Sequence, residues 1–148
     1  MEDIQKKEFR KIRIQRLRTV ILIVLLMTVF GVIGFTYFHI ATEGRLALRT
    51  GRNVKLALDM LSIECYGENR SIYSPNRASG MEDGVEQQIY DIVGQTGETR
   101  IISYDRSERR VEKLVYEETK YRVVYEYDET NGDQWRVDYL VTIFDYSD

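Results

Sequence analysis

From Thr19 to Ile40 the chain runs for 22 residues without a Lys, Arg, Asp or Glu, and nothing else in the sequence narrows the possible folds as much. As a helix this run is about 33 Å long at 1.5 Å per residue, against about 30 Å of hydrocarbon in a bilayer. A helix at the surface of a water-soluble domain keeps a polar side, because it has only one core to face. The run therefore predicts a transmembrane helix over 19–40. Thr28 and Thr36 suit it, since their hydroxyls can bond back to a carbonyl one turn earlier. Tyr37, Phe38 and His39 stand where an interfacial aromatic belt would lie. The competing reading, a cleaved secretory signal, calls for a shorter apolar stretch and small residues before the cut. Here His39 and Ile40 precede Ala41.

Charge divides sharply around this run. Residues 1–18 carry seven basic residues, Lys6, Lys7, Arg10, Lys11, Arg13, Arg16 and Arg18, against three acidic ones. Residues 41–148 carry 14 basic and 21 acidic residues. The positive-inside bias then sets a cytoplasmic N-terminus and a C-terminal domain outside the cell membrane. The expected organisation is a basic cytoplasmic leader (1–18), a single span (19–40) and an extracytoplasmic domain (41–148). An acidic domain argues against nucleic acid as a partner, because phosphate binding needs concentrated positive charge. With Cys65 as its one cysteine the chain has no intrachain disulfide, so the domain must stand on its apolar core.

The outer domain reads as α+β. Ala47, Val54, Leu58, Leu61 and Cys65 recur at helical spacing on one face, and Leu56, Met60 and Ile63 recur on the opposite one. The span is thus expected to continue as one long amphipathic helix to about Tyr66, with Gly44 and Gly51 as places where it can bend. Residues 67–83 are turn-rich and hold the single proline, Pro75, so they read as a loop. A short helix follows, with Asp83 as N-cap and Glu86 three residues on, an apolar stripe of Val85, Ile89, Ile92 and Val93, and Gly94 as its stop. From Thr99 the period becomes two. Strands are expected over 99–105, 110–117, 120–127 and 134–146, joined by links short enough to force a four-stranded antiparallel meander. One sheet face should pack on the long helix, the other being left to solvent and the short helix. The expected core comprises Leu56, Leu58, Met60, Leu61, Ile63, Trp135, Val137 and Tyr139, with Leu56, Met60 and Ile63 seating the sheet.

Chemistry is sparse. Acid–base or hydrolytic catalysis needs converging titratable groups. The one histidine, His39, lies at the membrane boundary, and Cys65 lies on an apolar stripe with no histidine to activate it. No phosphate-binding glycine loop and no Cys/His ligand cluster is present, so the sequence implies neither an enzyme nor a cofactor. Asp128, Thr130 and Asp133 offer a calcium candidate, set against an ordinary polar hairpin turn. Asn69-Arg70-Ser71 matches a glycosylation sequon. Arg45, Arg49 and Arg52 form a stripe that suits either lipid phosphates or a solvated helix face.

The order of parts resembles type IV pilins and the pseudopilins of type II secretion. Those proteins also place an apolar helix ahead of an amphipathic half, a variable loop and an antiparallel four-stranded sheet. The resemblance covers almost the whole chain as architecture. It implies apolar half-helices that bundle and sheet domains arranged around them. The family's processing motif differs here: Arg18 precedes Thr19 where the family has the cleavage glycine, and Ile23 stands where it has a glutamate. The resemblance therefore implies a component that stays unprocessed in the membrane.

The expected role is a non-enzymatic structural or assembly component of a cell-envelope complex. Its partners would be the lipid bilayer and other membrane proteins or copies of itself, met through the transmembrane helix where Gly31 and Gly34 permit close approach. The alternative is an extracytoplasmic sensing or ligand-binding module on a single-pass anchor. Its short leader leaves it without an output domain of its own.

Overall fold

The computed structural model describes residues 2–94, 97–118 and 120–140, with the side chains of residues 2–9 and of Ile12 left aside. The element order is α1 (Glu2–Gly67), α2 (Val85–Val93), β1 (Glu98–Asp105), β2 (Arg110–Glu118), β3 (Tyr121–Asp128) and β4 (Gly132–Tyr139). The chain forms two compact units, Met1–Thr42 and Glu43–Asp148, and is α+β as expected.

Every large apolar side chain from Leu17 to Phe38 is exposed, and the best 18-residue stretch has a mean hydropathy of 2.6. It is long and apolar enough to cross a membrane. The hydroxyls of Thr19, Thr28 and Thr36 donate to the carbonyls of Gln15, Val24 and Val32 at 2.9–3.0 Å, so each of these three threonines has an acceptor one turn earlier.

In the second unit the four strands form one antiparallel sheet in the order β1-β2-β3-β4. Register sets the faces. Leu114, Tyr125 and Trp135 stand side by side on the inner face, as do Tyr116, Val123 and Val137. The row Lys113, Glu126 and Gln134 and the row Glu117, Arg122 and Asp138 share the outer face. There the charges alternate in sign. Arg100 and Arg122 both meet Glu117, at 3.0 and 2.6 Å, and Lys113 meets Glu126. Lying at the solvent-facing side and only partly buried, these pairs contribute modest stability.

The inner face rests on Ala47, Val54, Leu58, Leu61 and Cys65 of α1, the face anticipated from spacing. Gly51 is a contact point: a Cβ there would stand 2.8 Å from Val123 Cγ1, so the missing side chain lets helix and sheet approach. Ser62, buried between them, donates to the Arg109 carbonyl at 3.1 Å and meets the Tyr104 hydroxyl at 2.7 Å.

Several expectations need correcting. Leu56, Met60 and Ile63 do not seat the sheet; they are 59, 56 and 74% exposed, because the sheet occupies the other side of the helix. Tyr139 is 43% exposed at the edge strand, where its ring lies 5.2 Å from that of Tyr121. Trp135 and Val137 are partly buried against the core, and Leu58 and Leu61 are within it. The short helix does not lie on the charged outer face. Its Val85 and Ile89 enter the same core as α1, while Ile92 is exposed. Nor does Asp83 cap it: Gly84 is the N-cap, in the left-handed region, and Asp83 pairs with Arg77 instead. Gly94 is the C-cap, its N–H donating to the Tyr90 carbonyl at 2.7 Å. The segment 68–84 is more than a loop, because Ile72 and Met81 are fully buried. It runs along the β1 edge, where the Ile101 N–H donates to the Ser79 carbonyl at 2.8 Å. Gly80 permits that approach, since a Cβ would collide with the Ile101 carbonyl. The fourth strand is described to Tyr139; the expected continuation to residue 146, with Val141 and Ile143, lies outside the described residues.

Candidate functional site: an uncovered apolar stripe on the long helix

The second unit buries one side of the α1 segment from Glu43 to Gly67 and leaves the other bare. Asn53, Leu56, Met60 and Ile63 lie along the bare side with steps of 3, 4 and 3, and Leu46 lies on the same line one heptad before Asn53. All five are exposed. Helical periodicity places them in one row, and the burial of Val54, Leu58 and Leu61 in the alternate row shows why the row is uncovered. An isolated exposed leucine is ordinary on a protein surface. Leu56, Met60 and Ile63, consecutive in the row, are a patch, and a patch suggests contact.

The charged groups beside the stripe are already engaged. The Lys55 ammonium donates to Asp59 at 2.5 Å and lies 5.1 Å from the Tyr125 ring centre. The Arg52 guanidinium lies 5.7 Å from the Trp135 ring. Arg52, Lys55, Leu56, Asp59, Asp133 and Trp135 enclose a shallow hollow beside the stripe. Tyr125 donates from its hydroxyl to Asp133 at 2.8 Å, and burial, followed by that bond, pushes the phenol well above its ordinary range. Arg109 stacks on Tyr66 near the end of the helix, 3.0 Å from the ring centre.

The residues singled out for chemistry are not brought together. His39 is exposed in the first unit, with its ring 6.1 Å from that of Phe35. Cys65 is buried in the core of the second, and burial pushes its thiol up, away from reactivity. The calcium candidates point to separate tasks. Asp128 accepts from the N–H groups of Thr130 and Asn131 at 2.7 and 2.9 Å, closing the β3–β4 turn, while Asp133 accepts from Tyr125. Among the described residues no three His, Cys, Asp or Glu side chains converge as a metal site would require. The Arg45, Arg49 and Arg52 stripe is exposed, as are Arg10, Lys11, Arg13, Arg16 and Arg18; the side chains of Lys6 and Lys7 lie outside the described residues. At Gly31 and Gly34 an added Cβ would meet nothing within 4 Å.

A cleft of about 740 Å³ opens elsewhere in the second unit, between α2, the 68–84 segment and the start of β1, with Val54, Met81, Ile89 and Tyr90 in its wall and Arg77 and Glu86 at its rim. Compared with known proteins, the chain matches no family model, no curated protein and no solved structure.

Proposed function

We propose that this chain is a non-enzymatic, single-pass membrane protein with a cytoplasmic N-terminus, whose outer domain serves as a structural or assembly component of a cell-envelope complex of pilin-like architecture. The observation that carries the reading is a charge-free 22-residue helical run in which every large apolar side chain from Val20 to Phe38 is exposed. In water such a surface is costly at roughly 25 cal/mol per Å², and a bilayer removes that cost. The bare stripe on the outer unit supports assembly, because it presents apolar contact area. The seven basic residues before the run support the orientation.

The test combines alkaline-carbonate extraction with protease added to intact cells. The chain should stay with the membrane pellet, and the outer domain should be digested from outside. Release by carbonate, or full protection of the domain, overturns the reading. A second reading, a sensing module on the same anchor, draws on the cleft beside α2. A ligand that raises the melting temperature of the full-length chain in detergent, and loses that effect in Met81→Trp, would favour it.

A further inference from the structure

The bare stripe of α1 has a partner written into its own spacing. Leu46, Asn53 and Met60 recur every seven residues, and Leu56 and Ile63 fall three residues after Asn53 and Met60. This is the 3–4 alternation of a two-stranded coiled-coil seam, with Asn53 as the one polar residue between Asn53 and Ile63 and Arg49 on the same line just before it. We propose that the stripe binds the same stripe of a second copy of this chain, in parallel and in register, as a short seam from Asn53 to Ile63. The proposal rests on the membrane-anchored reading.

Three observations select a second copy. First, in-register parallel pairing sets Asn53 against its own counterpart, where the two amides can satisfy each other. Any shift, or an antiparallel arrangement, sets an amide against Leu56, Met60 or Ile63 and leaves it unpaired at a dry contact. Second, the two cations flanking Leu56 are engaged within the chain, Lys55 with Asp59 and Arg52 over the Trp135 ring, so the contact on offer there is the apolar row, which a second copy matches with the same row. Third, the contact is small. Four residues per copy fall well short of the roughly 800 Å² per partner typical of a stable free complex. Such a seam forms where the copies are already confined, and insertion in one bilayer confines them. Arg49, which falls on the seam line before Asn53, keeps its guanidinium in water by extending its flexible stem outward.

The experiment uses the full-length chain reconstituted in phosphatidylethanolamine–phosphatidylglycerol vesicles, with single cysteines introduced by Leu56→Cys, Met60→Cys, Ile63→Cys and, as an exposed control off the stripe, Glu108→Cys. Cys65 is buried and stays in place, so the parent chain reports its background. Mild oxidation should give covalent dimers at 56, 60 and 63 at least tenfold above the parent and the Glu108→Cys control. Adding Leu56→Glu and Ile63→Glu to Met60→Cys should return the yield to background without changing the melting temperature, since both positions are exposed in the single chain. Flotation of the vesicles tells the two claims apart. A chain that does not float overturns the anchored reading and the seam with it. A chain that floats but gives no dimer, or dimerises equally at position 108, overturns the seam alone.

Discussion

Two stretches of α1 invite comparison, residues 19–40 and residues 43–67. Both are rich in Leu, Val, Ile and Met, and both are regular helix. In the first, large apolar side chains are exposed on every side; in the second, those of one side, Val54, Leu58, Leu61 and Cys65, are at most 4% exposed. Hydrophobicity alone therefore does not say what a helix packs against. The difference lies in polar content. Arg45, Arg49, Arg52, Lys55, Asp59 and Glu64 interrupt the second stretch and restrict it to burying part of its circumference, whereas nothing charged interrupts the first. The bare row Leu56, Met60 and Ile63 is intermediate between the two: apolar like the span, but a strip instead of a cylinder.

The comparison breaks most visibly if the first stretch is made to resemble the second. Leu26→Arg with Phe30→Arg places two cations on one face near the middle of the run, at about 2.5–3.5 kcal/mol each on insertion-based scales. The double variant should lose carbonate-resistant membrane association while the second unit keeps its melting transition. If the variant stays in the membrane pellet as well as the parent, the span does not depend on its lack of charge.

Within the second stretch, Leu58→Ala should destabilise the second unit by about 2–5 kcal/mol, the cost of emptying a fully buried site. Leu56→Ala, two residues away, should change stability by no more than about 0.5 kcal/mol. Urea unfolding of the two variants measures the contrast between the buried row and the bare one. Equal losses would show that the bare row is covered within a single chain.

Gly51→Ala gives a smaller effect and probes the closeness of helix and sheet. Overpacking against Val123 costs about 1–3 kcal/mol, and the better helix propensity of alanine returns about 1. A net loss of about 1 kcal/mol is expected at Gly51. Gly67→Ala, where an added Cβ meets nothing within 4 Å, provides the comparison for a helix end without that contact.

The smallest expected effect concerns the β3–β4 turn. The N–H groups of Asn131 and Thr130 hold the Asp128 carboxyl below its ordinary range. In the β1–β2 turn the Ser107 hydroxyl, then the Glu108 N–H, do the same for Asp105. A folded-state value below the unfolded one means that the contribution is complete above the ordinary value near 3.8 and is lost as pH falls through the depressed value. Asp128→Asn should flatten part of the stability loss seen on acidification below about pH 4, read as a smaller drop in melting temperature. A drop identical to the parent's would remove the turn carboxylate from the acid response.

Periodicity made most of the fold legible before any coordinates. The 3.6-residue recurrence of Ala47, Val54, Leu58, Leu61 and Cys65 and the twofold alternation of Tyr121, Val123 and Tyr125 mark the faces that meet in the core. Asp83 illustrates a limit of local pattern. Its capping-box spacing to Glu86 was sound, yet the side chain pairs with Arg77, six residues earlier, and Gly84 takes the cap. Ile72 and Met81 were hidden because isolated apolar residues in a turn-rich segment show no period.

By itself the sequence determined that residues 19–40 form a charge-free helix, that α1 continues past it, and that four short-linked strands pair antiparallel. These properties depend on neighbours along the chain, whose spacing and polarity are written in order. Only the tertiary structure decided which of the two apolar rows on residues 43–67 would be buried. Both rows are hydrophobic and helically spaced. The choice fell to the row with Gly51 near it, where the backbone can come close to Val123, and that long-range fit leaves Leu56, Met60 and Ile63 as the uncovered surface.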